Sequence, residues 1–326
     1  MSSVHAIRFA ATGGPEVLQW QAVDVGEPGP GEARVSHRAV GLNYIDTYHR
    51  SGLYQLPLPS GIGLEAAGVV EAVGEDVADI AIGDRVAYAG GPVGAYAQAR
   101  LMPADRLVRL PDAIGFEQGA AMMLQGMTAQ YLLRRTYRVQ PGDTILIHAA
   151  AGGVGLIVCQ WAKALGATVI GTVGSQAKAE LARAHGCDHT IVYTRENFAE
   201  RVREITGGAG LPVVYDSIGK DTSMESLACL RPLGVMVSFG SASGPVPPLD
   251  LGVLAKRGSL YVTRPTLFTY TAKRSDLLAT AAELFEVVAA GKVRIDINQR
   301  YPLRDAARAH RDLEGRLTTG STILIP

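Results

Sequence analysis

The run His148-Ala-Ala-Ala-Gly-Gly-Val-Gly155 carries the clearest chemistry in the chain. Matched to the dinucleotide spacing G-x-G-x-x-G, Gly152 and Gly155 take the second and third positions and Ala150 the first. Gly152 would let backbone N–H groups approach a pyrophosphate, and Gly155 would let a helix pack closely on a strand. The run follows a β-rich segment, 144–148, and opens a helix-patterned one, 153–165. The helix N-terminus would then present about half a positive charge to the phosphates. A site for NAD places Asp or Glu about 20 residues further on, to take the ribose 2′-hydroxyl. Here that place reads Gly171-Thr-Val-Gly-Ser175, with no acid, and Lys178 follows. A cation and a hydroxyl with no carboxylate suit a 2′-phosphate, so NADPH is expected rather than NADH.

Such a turn needs a sheet to hold it. From Asp143 onward, strand-like runs at 144–148, 167–173, 190–193, 213–216, 235–239 and 259–262 alternate with helical ones at 153–165, 176–184, 196–205 and 222–230. That rhythm predicts βαβ units and a parallel, doubly wound sheet. Before residue 125 the texture differs: short β-like runs at 4–9, 33–40, 67–73 and 85–89 lie between Gly/Pro turn clusters, as in a partly closed all-β unit. A helical stretch at 116–133, a long helix at 275–289 and a β-like tail at 321–325 complete the pattern. The tail is expected to rejoin the first domain. The fold class is α/β, with a nucleotide domain at 126–265 inserted into a β-rich domain made of 1–125 and 266–326.

Composition bounds the function. The chain has 326 residues, 47% hydrophobic and 19% charged, which excludes a disordered chain and allows about two domains. Its 31 basic and 31 acidic residues give zero formal charge, which argues against nucleic acid or an anionic membrane as partner. Three cysteines, Cys159, Cys187 and Cys229, make no disulfide framework and fit a reducing compartment. Residues 144–162 form 19 consecutive residues without Asp, Glu, Lys or Arg, close to a membrane-span length, but His148 and three glycines interrupt them. The run Met1–Ala10 alternates like a strand and lacks a signal peptide's apolar run. A cytoplasmic protein is expected.

The order of β-rich domain, inserted nucleotide domain and C-terminal return resembles the medium-chain dehydrogenase/reductase superfamily. More closely, the chain resembles its zinc-independent NADPH:quinone oxidoreductases, the group that includes zeta-crystallin. The resemblance spans essentially the whole chain. It rests on Gly41-Leu-Asn-Tyr-Ile-Asp46, Gly61-Ile-Gly-Leu-Glu-Ala-Ala-Gly68, Gly83-Asp-Arg-Val86, the glycine turn, Val214-Tyr-Asp-Ser217, Val237-Ser-Phe-Gly-Ser241 and Tyr261-Val-Thr-Arg264. It implies a GroES-like first domain and a Rossmann second one.

The departures are as informative. Zinc enzymes of the alcohol-dehydrogenase branch have a Cys ligand where this chain has Asn43, and their Gly-His-Glu reads Gly63-Leu64-Glu65 here. Their structural-zinc cysteines have no counterpart in 90–112. Zinc needs three or four N, S or O ligands, so no zinc is expected. A second histidine pair, His185-Gly-Cys-Asp-His189, is separated by Gly186, which is expected to end a helix and point the two imidazoles apart.

By resemblance, Asn43 and Tyr54 lie beside the nicotinamide as the candidate catalytic residues, Asn43 as an amide donor and Tyr54 as a phenol or an aromatic wall. Thr128 also lies near the nicotinamide. Gly152, Gly153, Val154 and Gly155 hold the pyrophosphate, and Gly174, Ser175, Lys178 and Tyr193 surround the 2′-phosphate. Ser217, Phe239, Gly240 and Ser241 end strands on the ligand-binding edge, and Arg264 and Arg316 are cations over the cofactor phosphates. Asp46 orders the Asn43 loop without acting in catalysis. The implied function is metal-free reduction of a quinone in the interdomain cleft, from nicotinamide C4. Two alternatives stand beside it: reduction of the C=C bond of 2-alkenals or enones, and a non-catalytic NADPH-binding protein. The apolar edge Ser259-Leu-Tyr-Val-Thr263 is expected to pair two copies as a homodimer.

Overall fold

The computed structural model describes residues 3–326, so Met1 and Ser2 of the alternating N-terminal run lie outside the described residues. The chain divides into one unit made of Met1–Met127, Thr271–Ala289 and Ile295–Pro326, and a second made of Thr128–Tyr270 and Ala290–Arg294.

In the first unit, the long strand Glu32–Leu42 organises the main sheet. It pairs antiparallel with Glu65–Val73, with Ala99–Pro103 and with the closing strand Ser321–Ile325, where Ile323 faces Gly41. Arg85–Ala89 extends the sheet beyond Glu65–Val73, and Ile297–Pro302 lies parallel to the closing strand. A smaller sheet holds Gln19–Asp24, Ser3–Phe9 and Ser60–Gly61. Alternating apolar residues of these strands form one core, with Ile7, Phe9, Val35, Leu42, Val70 and Tyr96 fully buried. Strand pairing is close at Gly68, where an added Cβ would stand 2.0 Å from the Ser36 carbonyl oxygen.

Among the elements without a counterpart in the sequence pattern is the helix Tyr44–Ser51, which follows the long strand with Asn43 as N-cap. Its buried residues are Asp46, Thr47, Tyr48, His49 and Arg50, mostly polar. Hydrophobic periodicity finds helices by an apolar inner face, and this helix buries a polar one.

The second unit is a parallel sheet in the order His189–Val192, Thr168–Val173, Thr144–Ile147, Leu211–Asp216, Leu230–Ser238, Tyr261–Thr263. Strand order reverses between Thr144–Ile147 and Leu211–Asp216, the kind of switch point where open α/β sheets take ligands. The charge-free stretch resolves into the strand Thr144–Ile147 and the helix Gly153–Ala164. No helix among the described residues is long and apolar enough to cross a membrane. The expected helix at 222–230 is shorter, Ser223–Ala228, because Leu230 already opens the next strand. The helix Phe116–Tyr131 runs on into a π-helical turn, Leu132–Thr136.

Replacing Gly68 with Ala should push the two central strands of the first unit apart. The expected loss of stability is about 2–4 kcal/mol, read by chemical denaturation, and a loss below 0.5 kcal/mol would show that the strands yield easily.

Candidate functional site

The glycine turn has the cradle a phosphate requires. Ala149 sits at φ 53°, in the left-handed region, and Gly152 is the N-cap of the helix Gly153–Ala164 without any side-chain cap. Nothing from the cap residue therefore covers the first N–H groups of the helix. A Cβ on Gly155 would lie 2.3 Å from the Ala149 carbonyl oxygen, so only glycine allows this helix–strand approach. Gly153 and Val154 form the first turn between them.

The turn is braced from below. Buried His148 meets Thr172 Oγ1 through Nδ1 at 2.8 Å and Ser226 Oγ through Nε2 at 3.0 Å. Ser226 and Thr222 donate to Asp216 Oδ2, and the N–H groups of Ile218 and Gly219 donate to Asp216 Oδ1. Burial holds the His148 imidazole below its ordinary value, so it stays neutral as a structural link.

At the end of the neighbouring strand, Ser175 caps the helix Gln176–Ala184 and its Oγ accepts from the Lys178 N–H. A Cβ on Gly174 would meet the Tyr193 hydroxyl at 2.8 Å. The structure thus gathers Gly174, Ser175, Lys178 and Tyr193 at one corner of the sheet. No carboxylate stands among these four, as a 2′-phosphate requires. At the opposite side of the switch point, Gly240 packs against the Ser217 backbone, where a Cβ would stand 2.4 Å from its carbonyl oxygen. Arg264 donates through Nη1 to the carbonyls of Ser238 and Gly240, at 2.9 and 2.8 Å, and through Nη2 to Ser241 Oγ. Its guanidinium clamps the loop that contains Phe239 and Ser241, a position the expectation of a phosphate cation did not include. Thr128, buried, lies on the helix Phe116–Tyr131 in this same unit.

Asn43, Tyr54 and Arg316 belong to the first unit. Arg316 is exposed at φ 59° beyond the helix Ala306–Glu314 and acts electrostatically on Tyr44. Tyr54 packs against Tyr48, with ring centroids 5.2 Å apart, and against His49. The side chain of Asn43 is enclosed by acid and amide: Nδ2 lies 2.6 Å from Glu65 Oε2, and Oδ1 lies 3.1 Å from Gln125 Nε2. Glu65 Oε1 accepts from the Leu124 N–H. A Cβ on Gly41 would overlap Glu65 Oε2 at 2.3 Å, so the glycine makes room for the carboxyl. Glu65 has no solvent exposure, and burial pushes its pKa up to about 8.

A second chain of contacts orders the loop. Asp46 Oδ2 accepts from the Asn43 N–H and from the Tyr96 hydroxyl, both at 2.9 Å. Tyr96 meets His310 Nε2, and His310 Nδ1 meets Arg50, which forms a two-pronged pair with Glu314. Arg50 can only donate, so His310 Nδ1 accepts and Nε2 carries the hydrogen. Nε2–H then donates to the Tyr96 oxygen and turns the Tyr96 O–H toward Asp46. Asp46 Oδ1 is buried without a hydrogen-bond partner, and burial pushes the Asp46 pKa up to about 7.

Sequence reasoning singled out Asn43 but not Gln125, which meets it directly, nor Ser321, Tyr96 and His310, which are linked to it through Gln125 and Asp46 from distant chain segments. Glu65 was visible only as the acid that follows Leu64. Among the described residues, no group of three or more His, Cys, Asp or Glu could hold a metal ion. The three cysteines are buried and form no disulfide. His185 caps its helix in the interior, Gly186 sits at φ 88°, and His189 opens the next strand on the surface.

The family model described as alcohol dehydrogenase GroES-like domain matches residues 29–112, and the one described as zinc-binding dehydrogenase matches 153–285. The chain is 59% identical to a quinone oxidoreductase of Pseudomonas aeruginosa, over 98% of this chain and 99% of that one. It superposes with a TM-score of 0.97 on the quinone oxidoreductase of Escherichia coli in complex with NADPH, at 52% identity, covering 99% of this chain and 100% of that one. It is also 50% identical to a 2-haloacrylate reductase of a Burkholderia species, over 96% of each.

The Asp46 carboxyl generates a stability prediction. Its folded pKa of about 7 exceeds the 3.8 of an unperturbed aspartate, so between those values the unfolded chain sheds a proton that the folded one keeps. Raising the pH therefore weakens the fold through this group. Asp46→Asn keeps an oxygen for Tyr96 and the Asn43 N–H but cannot ionise. From about pH 5 to about pH 8 the Tm of the wild type should fall relative to the variant, by on the order of 3 °C. Parallel melting curves would contradict the assignment.

Proposed function

The chain belongs to the quinone oxidoreductases of the medium-chain dehydrogenase/reductase superfamily, and on that premise we propose how its own residues carry out NADPH-dependent quinone reduction without a metal. The observation that carries the reading is the Asn43–Glu65 pair, which stands where zinc relatives place a thiolate and the acid of their Gly-His-Glu motif. An amide, a leucine and an acid held by that amide are a poor donor set for zinc. Without a Lewis acid to hold an alkoxide, alcohol oxidation loses its usual basis. A quinone is already electrophilic and needs none.

When bound, NADPH supplies a hydride from nicotinamide C4. The chain's contribution is binding, orientation and charge stabilisation. The uncapped helix start at Gly152–Gly155 binds the pyrophosphate. Ser175, Lys178 and Tyr193 take the 2′-phosphate, and Gly174 keeps the corner open for it. Thr128, Ser217 and the loop Phe239–Ser241, clamped by Arg264, line the nicotinamide end. Arg316 keeps its expected role as a cation for the cofactor phosphates. Asn43 offers an N–H to the acceptor oxygen on which negative charge develops, and Tyr54 orients the acceptor ring.

The 2-haloacrylate reductase relative favours a second reading with the same cofactor and a different acceptor, an activated C=C bond. Both acceptors place developing charge on a carbonyl or carboxyl oxygen. We also propose a cytoplasmic location and a homodimer formed at the sheet edge Tyr261–Thr263. The support for the dimer is a set of exposed apolar residues on that side: Tyr261 at 59%, Val262 at 40% and Leu233 at 65%.

Oxidation of NADPH by the metal-stripped protein should proceed with ortho- and para-quinones and be slower with 2-alkenals and 2-haloacrylates; the reverse order would select the second reading. Lys178→Ala should lower kcat/KM for NADPH about 10- to 100-fold and leave that for NADH nearly unchanged. Equal losses with both cofactors would remove Lys178 from the 2′-phosphate site. Light scattering should give a dimer that Val262→Lys dissociates, and a monomeric wild type would end the edge-pairing proposal.

A further inference from the structure

The contacts around Asn43 contain a proton-counting problem. Ser321 Oγ lies 2.8 Å from Gln125 Oε1 and 3.0 Å from the Ala121 carbonyl oxygen, yet a hydroxyl has one hydrogen to give. With the amides turned so that Gln125 Nε2 faces Asn43 Oδ1 and Asn43 Nδ2 faces Glu65, one of the two Ser321 acceptors goes without a proton. An amide's N and O exchange places by a half-turn about its last side-chain torsion. Turning both amides makes Gln125 Nε2 donate to Ser321 Oγ, which then donates to Ala121. Asn43 Nδ2 donates to Gln125 Oε1, and Asn43 Oδ1 comes to face Glu65 Oε2. Every contact now has one donor and one acceptor, provided that Glu65 carries a proton.

Two further features agree. The Asn43–Glu65 separation of 2.6 Å lies within the O–H···O range and below the usual N–H···O range. Glu65 is fully buried, and no cation stands among the groups that act on it. From the helix Phe116–Tyr131 come the N–H groups of Leu124 and Met123, from the Asn43 helix a second carboxyl, Asp46, and from neighbouring strands and loops the phenols of Tyr88 and Tyr96. Burial favours the neutral acid in such surroundings.

We propose that Glu65 is a positioning residue that works as a neutral acid, donating its proton to the Asn43 carbonyl oxygen and so fixing the side on which that amide offers its remaining N–H to the acceptor. The proposal rests on the reading of Asn43 as the donor to the acceptor oxygen. Loss of the Glu65 proton to solvent turns both amides back, because a carboxylate must be given an N–H. The spare Asn43 N–H then moves from the Gln125 side to the Glu65 side, away from the position used in turnover.

The first test needs neither cofactor nor turnover. Infrared spectra of the protein grown with carboxyl-13C glutamate should show an isotope-shifted carboxylic acid C=O band at about pH 6 that disappears by about pH 9. Absence of such a band at about pH 6 would overturn the neutral acid, and no variant has to fold for that result. The second test separates the proposal from the reading beneath it. Glu65→Ala should raise KM for the quinone about 10-fold, and Glu65→Gln, whose amide N–H replaces the acid O–H, should restore it. The wild-type KM should rise on the alkaline side while that of E65Q stays flat. If the band titrates but KM follows the same pH profile in wild type and E65Q, Glu65 remains a neutral acid and Asn43 is not the acceptor's donor, which overturns the positioning role.

Discussion

A carboxyl group removed from water must find hydrogen-bond partners at both oxygens, and in the first unit Glu65 imposes that requirement on three distant stretches of chain. Gly41 gives up a side chain so that the carboxyl fits. Asn43 meets one oxygen, and the Leu124 N–H in the helix Phe116–Tyr131 meets the other. Gln125 then holds Asn43, and Ser321 of the closing strand holds Gln125. The strand at the end of the sequence thus contributes to the site near its beginning. Its pairing with Glu32–Leu42, which sets Ile323 opposite Gly41, brings it there.

The second unit solves a related problem with a different set of groups. Asp216 is as buried as Glu65 but receives four donors, two from backbone N–H groups and two from hydroxyls. These bonds tie Asp216 to the base of the glycine turn, where Ser226 also meets His148. Glu65, which we propose to be a neutral acid, is as buried but is held by an amide and backbone N–H groups instead of hydroxyls. Burial alone does not separate the two.

The Asn43 side of the molecule also shows how one fold can change its chemistry with few residues. Where the resemblance to zinc enzymes implies a thiolate and a histidine, this chain has Asn43 and Leu64, the leucine buried at 2% exposed. On the function proposed here, charge in such a site is stabilised by hydrogen bonding. That places the burden on amide orientation, and amide orientation depends on where protons sit in the surrounding network.

The sequence by itself determined the parts of this protein whose signals are local. The parallel sheet, the glycine turn and the missing ribose acid are visible because strand and helix periods, glycine spacing and charge act over a few residues. The long helix Arg274–Ala289 and the break of the charge-free stretch at Gly152 were legible for the same reason. The helix Tyr44–Ser51 was not, because its inner face is polar and its stability comes from Asp46, Tyr96, His310 and Glu314, residues up to 264 positions apart in their pairing. Arg264 was legible as a cation but not as a clamp, since the carbonyls it holds belong to a loop about 24 residues earlier. Only the tertiary structure decided which polar groups share a buried space. Hydrogen bonds between segments far apart in the chain leave no period or spacing in the sequence, and it is those bonds that gather the polar groups around Asn43.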